Sequence, residues 1–431
     1  MSRSSAAVEL GQIQFTDRIF GVLILVLGIS AAVFTRSIAV MLPILALAAA
    51  IGMLLERAPL NGITAISAPV LALAALLIFA GTSALWSADW SVTLAHSAQF
   101  LTVLLLGQLL AYWVSVQPAR RVRHLAYWLA IAVLIGLAVL TIEVLSRQGL
   151  RRMLMEYSSI FNPPTLGKHY DILADGTVRI AQFELNRSIA AVNMLLWPVV
   201  LCAASYWGGR KLALMALALV GGVVLATAAS THETSKMALI CGLVAFAGAY
   251  FFRRAAAAGA MAAWSLVVLG VVPLTIAAHD YLHLQDARWL QESARARVVI
   301  WHEVADDVMQ APLLGVGART GYVLNERDVK GTELAKVPRH AHNVYLQTWY
   351  ELGLVGAVLF LVAGLLLLRA LSTLPDAVYP FALATFAVCA AELATSWEIW
   401  QRWFFMLYIL TWFCLALGTR SVKEKPVVSA P

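Results

Sequence analysis

The feature that most limits this chain is a succession of long apolar runs separated by short polar connections, with Lys and Arg gathered in every second connection. A bilayer core about 30 Å thick is crossed by about 20 mostly apolar helical residues. Runs of that kind lie near Ile19–Phe34, Ile38–Leu55, Ile66–Leu85, Thr93–Val114 and Leu125–Leu145. Four more lie near Ile189–Trp207, Leu212–Ala229, Met237–Phe252 and Ala260–Ala278, and a last three near Leu352–Leu368, Ala377–Thr395 and Trp403–Leu417. The expected fold is an all-α membrane protein with about 12 transmembrane helices.

Composition supports the bilayer as solvent. Of 431 residues, 61% are hydrophobic and only 13% charged, too little polar surface to cover a soluble protein of this size. The net charge of +7 belongs to basic loops and not to a nucleic-acid partner. Arg57, the trio Arg120, Arg121 and Arg123, Arg210-Lys211, Arg253-Arg254 and Arg369 fall on one side if the spans alternate, as do Arg3, Arg18, Arg420, Lys423 and Lys425. Short basic loops stay cytoplasmic, so both termini are expected there. Arg36 is the exception, in the first outer loop. No cleavable signal peptide is visible in Met1–Arg18, and the first run is read as an uncleaved anchor.

Two long polar segments lie on the other side. They divide the chain into residues 1–278 with an outer loop at 146–186, a large outer loop at 279–345, and spans with a short cytoplasmic tail at 346–431. A helix is expected from Ala294 to Gln310, ended by Pro312 and the turn at Gly315 and Gly317. Cys202, Cys241, Cys389 and Cys414 sit inside apolar runs without metal-ligand spacing, as small core or lipid-facing residues. Trp86, Trp90, Trp113, Trp207, Trp397, Trp400 and Trp403 fall at span ends, where an interfacial aromatic belt is expected. For Trp397 and Trp400, beside Glu398 and Arg402, a stacking platform for sugar rings is the sharper alternative.

Two sets of residues stand out for chemistry. Arg339, His340, His342 and Asn343 lie where the large outer loop meets a span. Imidazole titrates near neutral pH and suits a general base there, with Asn343 orienting a ring or a hydroxyl; a plain helix cap is the alternative. The second set is cations at outer span starts: Arg187, Lys236, Arg295 and Arg297. They pair with nearby Glu184, Glu233 and Glu292, or they grip an anion; guanidinium forks match phosphate oxygens. No nucleotide loop, HExxH motif or other metal-binding pattern is present; His232 and His302 stand singly, and Asp306-Asp307 reads as a solvated pair. No cofactor is expected.

Some of these pieces resemble the O-antigen ligase family. His342-Asn343 followed by Gly353-Leu354-Val355-Gly356 is similar to its signature, and Arg297–Trp301 with Pro312–Gly317 is similar to its large-loop pattern. Asn186-Arg187-Ser188 and Leu85-Trp86-Ser87 resemble further recurring pieces, so the likeness runs from Leu85 to Gly356. It implies a GT-C-like fold in the bacterial inner membrane. It also implies metal-independent, inverting transfer of an undecaprenyl-diphosphate-linked glycan to lipid A–core at the periplasmic face. His342 would be the base, with His340 its rival, and Arg187 and Arg297 would hold the diphosphate. Ser235-Lys236 departs from the family's Ser-Arg, keeping the charge and losing the fork. A polymerase or protein oligosaccharyltransferase of the same superfamily shares donor, base and cations, whereas a lipid-linked glycan transporter asks for charges at span centres, where only Glu392 stands.

Overall fold

A computed structural model describes residues 3–59, 62, 64–157, 170–173, 178–321, 341–395 and 397–423. The helices are α1 (Arg3–Val33), α2 (Ile38–Leu55), α3 (Ala68–Thr82), α4 (Trp90–Val116), α5 (Ala119–Leu145), α6 (Gly149–Tyr157) and α7 (Asn186–Tyr206). They continue as α8 (Gly209–Ala229), α9 (Glu233–Phe251), α10 (Arg253–Ile276), α11 (Glu292–Gln310), α12 (Val344–Ser372), α13 (Tyr379–Thr395) and α14 (Arg402–Lys423). Among the described residues, ten helical stretches are long and apolar enough to cross a bilayer. With 17 residues, α13 falls just short of that length, and the expected first span forms the C-terminal half of α1. The protein is therefore a multi-pass, all-α membrane protein. One small departure is a hairpin in the first polar segment, where β1 (Tyr170–Ile172) pairs antiparallel with β2 (Val178–Ile180), Tyr170 opposite Ile180.

The chain forms two compact units, neither continuous in sequence. The first comprises Met1–Asn61, Leu109–Val244 and Met406–Pro431, and the second Gly62–Gln108 and Ala245–Phe405. In the first, α1 and α5 cross on small residues: a Cβ on Gly136 would fall within 3.0 Å of the Ala32 Cβ, and one on Gly28 equally close to the Ala132 Cβ. Close backbone approach of this kind gains dispersion contacts where lipid offers no hydrophobic drive between helices. Helix α7 is the centre of this unit, with 94% of its spanning window buried. In the second unit α12 packs on α3, α10, α11 and α13. Trp349 Nε1 donates to the Val268 carbonyl at 2.7 Å, and Trp264 Nε1 to that of Leu361 at 3.1 Å, tying α12 to α10.

Two expectations are corrected. The tryptophans do not form one interfacial belt: Trp113, Trp400 and Trp403 are buried, whereas Trp90 is 66% exposed. Trp113 packs on Phe20 at 4.6 Å between centroids, so aromatic residues at span ends serve helix packing as well as the interface. Within the basic trio, Arg121 is buried at the start of α5 and ion-paired to Asp17 and Glu56. Asp306-Asp307 is not uniformly solvated: Asp306 is exposed but Asp307 is half-buried, and that burial, with Asp306 beside it, raises its carboxyl above the usual range. Cys202, Cys389 and Cys414 are buried in the core and Cys241 is exposed, all as free thiols.

Candidate active site

The site in the second unit is organised by a break in α12. Gly353 has φ +59°, outside the helical region, within a run otherwise helical from Val344 to Ser372. The backbone groups released there are taken up by the segment after α11. Val316 N donates to Tyr350 O at 3.0 Å and Gly317 N to Glu351 O at 2.9 Å; Leu354 N and Val355 N donate to Pro312 O and Leu313 O at 2.8 and 3.2 Å. The two backbones touch, so Gly315 (φ +67°) and Gly353 have room for no side chain: a Cβ on either would lie within 3.0 Å of the other segment's backbone. Ser87, of the Leu85-Trp86-Ser87 piece, abuts the same segment, where a Cβ on Gly317 would lie within 3.0 Å of it. Ser83 Oγ accepts from Ala318 N at 2.9 Å, and Thr93 Oγ1 donates to Ala318 O at 2.7 Å and stands 2.9 Å from Ser87 Oγ. Three sequence pieces far apart in the chain thus form one scaffold.

At the start of α12, Asn343 is the N-cap: its Oδ1 accepts from Leu346 N at 3.1 Å. Its side chain is buried in that task. His342, one residue earlier, is half-buried in the left-handed region at φ +51°. Non-glycine residues there are uncommon and mark positions held by their surroundings. Part of that hold comes from α11, where Trp301 Nε1 donates to Ala341 O at 2.7 Å. Arg297 lies one turn before Trp301 and shares its helix face. It is half-buried, and burial alone pushes its guanidinium below the usual value; among the described residues no carboxylate pairs with it. Arg295 is half-buried on the same helix, with its Nε unbonded. Arg339 and His340 lie outside the described residues.

Beneath His342 runs a buried polar chain. Gln347 Nε2 donates to Glu351 Oε1 at 2.9 Å, and Trp400 Nε1 to Glu351 Oε2 at 2.7 Å. Arg319, at φ +64° just past Gly317, is ion-paired to Glu398, and both side chains are under 10% exposed. Trp400 sits edge-on to Phe100 at 5.1 Å with its faces enclosed, so it is a core aromatic. Trp397 is half-buried, packed on Trp403 at 4.9 Å. Arg319 was not foreseen; its place two residues after Gly317 was the available signal.

The first unit holds the other expected cations. Arg187 opens α7 and lies 3.4 Å from Glu184; Lys236 lies 2.8 Å from Glu233. Glu184 and Glu233, two of the three acidic partners named from sequence spacing, are thus found paired. Arg187 does not stand alone. The Tyr170 phenol, on β1, is held above its usual range by burial and by Glu184 against the opposing pull of Arg151, Arg36 and Arg187, so all three guanidinium groups act on it electrostatically. Arg151 also reaches Val33 O at 2.9 Å and Glu143 at 3.5 Å. Arg36, the exception to the loop-charge rule, is part of this group; Arg151 was not foreseen.

A broken span, a histidine at its start and a half-buried arginine on the helix packed against it are the features that the second unit of this multi-pass membrane protein brings together. Residues 218–361 match the family model described as O-antigen ligase. The chain is 32% identical over 119 residues to a Rickettsia conorii protein named as a candidate polysaccharide ligase, covering 26% of this chain and 29% of that protein. It is 31% identical over 125 residues to a like-named protein of Rickettsia prowazekii, and 33% over 123 residues to one of Rickettsia typhi, covering 30% of each. The chain thus spans less than a third of the length of the curated relatives it matches. The likeness to the O-antigen ligase family covers the segment that holds α11 and the start of α12.

Proposed function

We propose that this protein is a glycan ligase of the bacterial inner membrane. It transfers an undecaprenyl-diphosphate-linked glycan to a hydroxyl of lipid A–core at the periplasmic face, with both termini cytoplasmic. The observation that carries this reading is the bond from Trp301, one turn after Arg297 on α11, to Ala341, the residue before His342. A base and a cation are what displacement of a diphosphate by a hydroxyl requires. His342 takes the proton of the acceptor hydroxyl as its oxygen bonds to the anomeric carbon. The bond from that carbon to the diphosphate breaks on the opposite face, inverting the centre. The leaving diphosphate carries away the electron pair, and Arg297, with Arg295 and Arg339, stabilises the growing charge. In the first unit, Arg187 with Arg36 and Arg151 forms a second anion-binding group, joined by Lys236. Trp397 retains the sugar-stacking role; Trp400 supports the site through Glu351.

The test is reconstitution of the purified protein in liposomes with undecaprenyl-diphosphate glycan and lipid A–core. Glycan on lipid A–core is expected, and lost in His342→Ala by about 10²–10⁴-fold with donor binding retained. The same loss in His340→Ala alone transfers the role of base. Longer glycan on undecaprenyl would mean a polymerase, and lipid movement with no product would overturn the enzyme reading.

A further inference from the structure

Apart from the residues around His342, the described part of the second unit holds one cluster with ligand chemistry. At the end of α10 the helix widens into a π turn, Ala277–Tyr281. Such turns insert a residue, change which side chains face a neighbour and recur at functional sites. Here the turn aims His279 and Asp280 together at α11, where His302 meets them. The imidazoles of His279 and His302 stack at 4.0 Å between centroids and 8° between planes. His279 Nδ1 is 2.7 Å from Asp280 Oδ1, and His302 Nε2 is 3.6 Å from the same oxygen and 3.6 Å from Asp306 Oδ2. One ligand atom each from His279, Asp280 and His302 lies within 4.8 Å of the others.

The geometry points to a divalent cation site of the zinc type formed by His279, Asp280 and His302, with Asp306 or water as fourth ligand. With Zn–N and Zn–O bonds of about 2.0–2.2 Å, tetrahedral ligand atoms stand about 3.3–3.5 Å apart. The two histidine–aspartate separations, 2.7 and 3.6 Å, bracket that figure. Two imidazoles with one or two carboxylates suit zinc, and the carboxylates offset its charge. Binding requires the stacked rings to turn about their Cβ–Cγ bonds so that their lone pairs converge, a side-chain motion with no backbone cost. The second ring nitrogen of His302, Nδ1, is buried without a hydrogen bond among the described residues. His302 faces α10, whereas Trp301 on the same helix reaches Ala341. The cation would therefore staple α11, the carrier of Arg297, to the end of a span. It has no part in the proposed displacement.

The experiment uses the full-length protein without a histidine tag, purified in detergent, stripped with a chelator and titrated with Zn2+ by calorimetry. We expect one Zn2+ per chain, micromolar or tighter. Co2+ should occupy the same site with the visible bands of tetrahedral coordination. His302→Ala and His279→Ala should each weaken binding by more than the roughly 10–100-fold carried by outer-shell partners. If those variants fail to fold, Asp280→Asn reads the same loss at an exposed position. No saturable binding, or binding that survives these substitutions unchanged, overturns the site. Because metal binding is read directly, its failure leaves the glycan-ligase reading untouched, and the reverse also holds.

Discussion

The indole nitrogen of Trp301 donates to the carbonyl of Ala341 at 2.7 Å, and His342 follows in the left-handed region at φ +51°. One side chain of the polar loop thus fixes the backbone immediately before the proposed base. Trp301→Phe keeps most of the ring and removes the donor. The net stability loss should be about 0.5–1.5 kcal/mol, while the carbonyl is left to find water. We expect a lower transfer rate at near-normal donor affinity, seen as reduced kcat with KM little changed. An unchanged kcat would mean that the bond serves folding alone.

Arg297 is predicted to separate charge from geometry. Arg297→Lys keeps the charge and loses the two-pronged donor, so binding of a fluorescent undecaprenyl-diphosphate analogue should weaken about tenfold, with Arg297→Ala weaker still. Because no carboxylate among the described residues pairs with Arg297, neither variant should lower the melting temperature appreciably. A marked loss of stability would reassign it as a structural residue.

Gly353→Ala should be far more damaging than an alanine elsewhere in a span. At φ +59° and ψ −158° the backbone of Gly353 lies in a region essentially reserved for glycine, at a cost of about 1–3 kcal/mol to another residue. The added carbon also meets the Leu313 backbone, which has no flexible end to move aside. Loss of the monodisperse peak in size-exclusion chromatography is the expected result. Normal behaviour of this variant would show that the two segments separate readily.

Arg319 and Glu398 form a buried ion pair, so removing one partner strands the other. Glu398→Gln or Arg319→Met alone should cost about 3–5 kcal/mol, whereas Arg319→Met with Glu398→Leu should recover much of it. Thermal melting of the three variants in detergent checks this. Equal losses in single and double variants would mean that packing outweighs charge.

Much of this arrangement was legible in the sequence, and the boundary of legibility is physical. Spans announce themselves because each must be apolar for about 20 residues. Gly315, Gly317 and Gly353 were visible as punctuation, and His342-Asn343 as a polar pair at a span start. Which face of a span meets protein was not legible: lipid is as apolar as leucine, so a buried face and a lipid face carry the same residues. That is why Trp113 read as interfacial although it is fully buried. The cluster of Arg36, Arg151 and Arg187 was hidden because its members come from three different segments. Asn343 was read as orienting a substrate, and its geometry shows the cap that was weighed against that role.

The pairing of residues 312–317 with the interrupted helix also bears on how the protein is made. An unpaired backbone group in the hydrocarbon interior costs several kcal/mol, so a span with a break at Gly353 is a poor guest of the membrane alone. Its hydrogen-bonding partner lies earlier in the chain and leaves the ribosome first. Synthesis thus supplies the template before the helix that needs it, and α12 can settle against a surface already waiting.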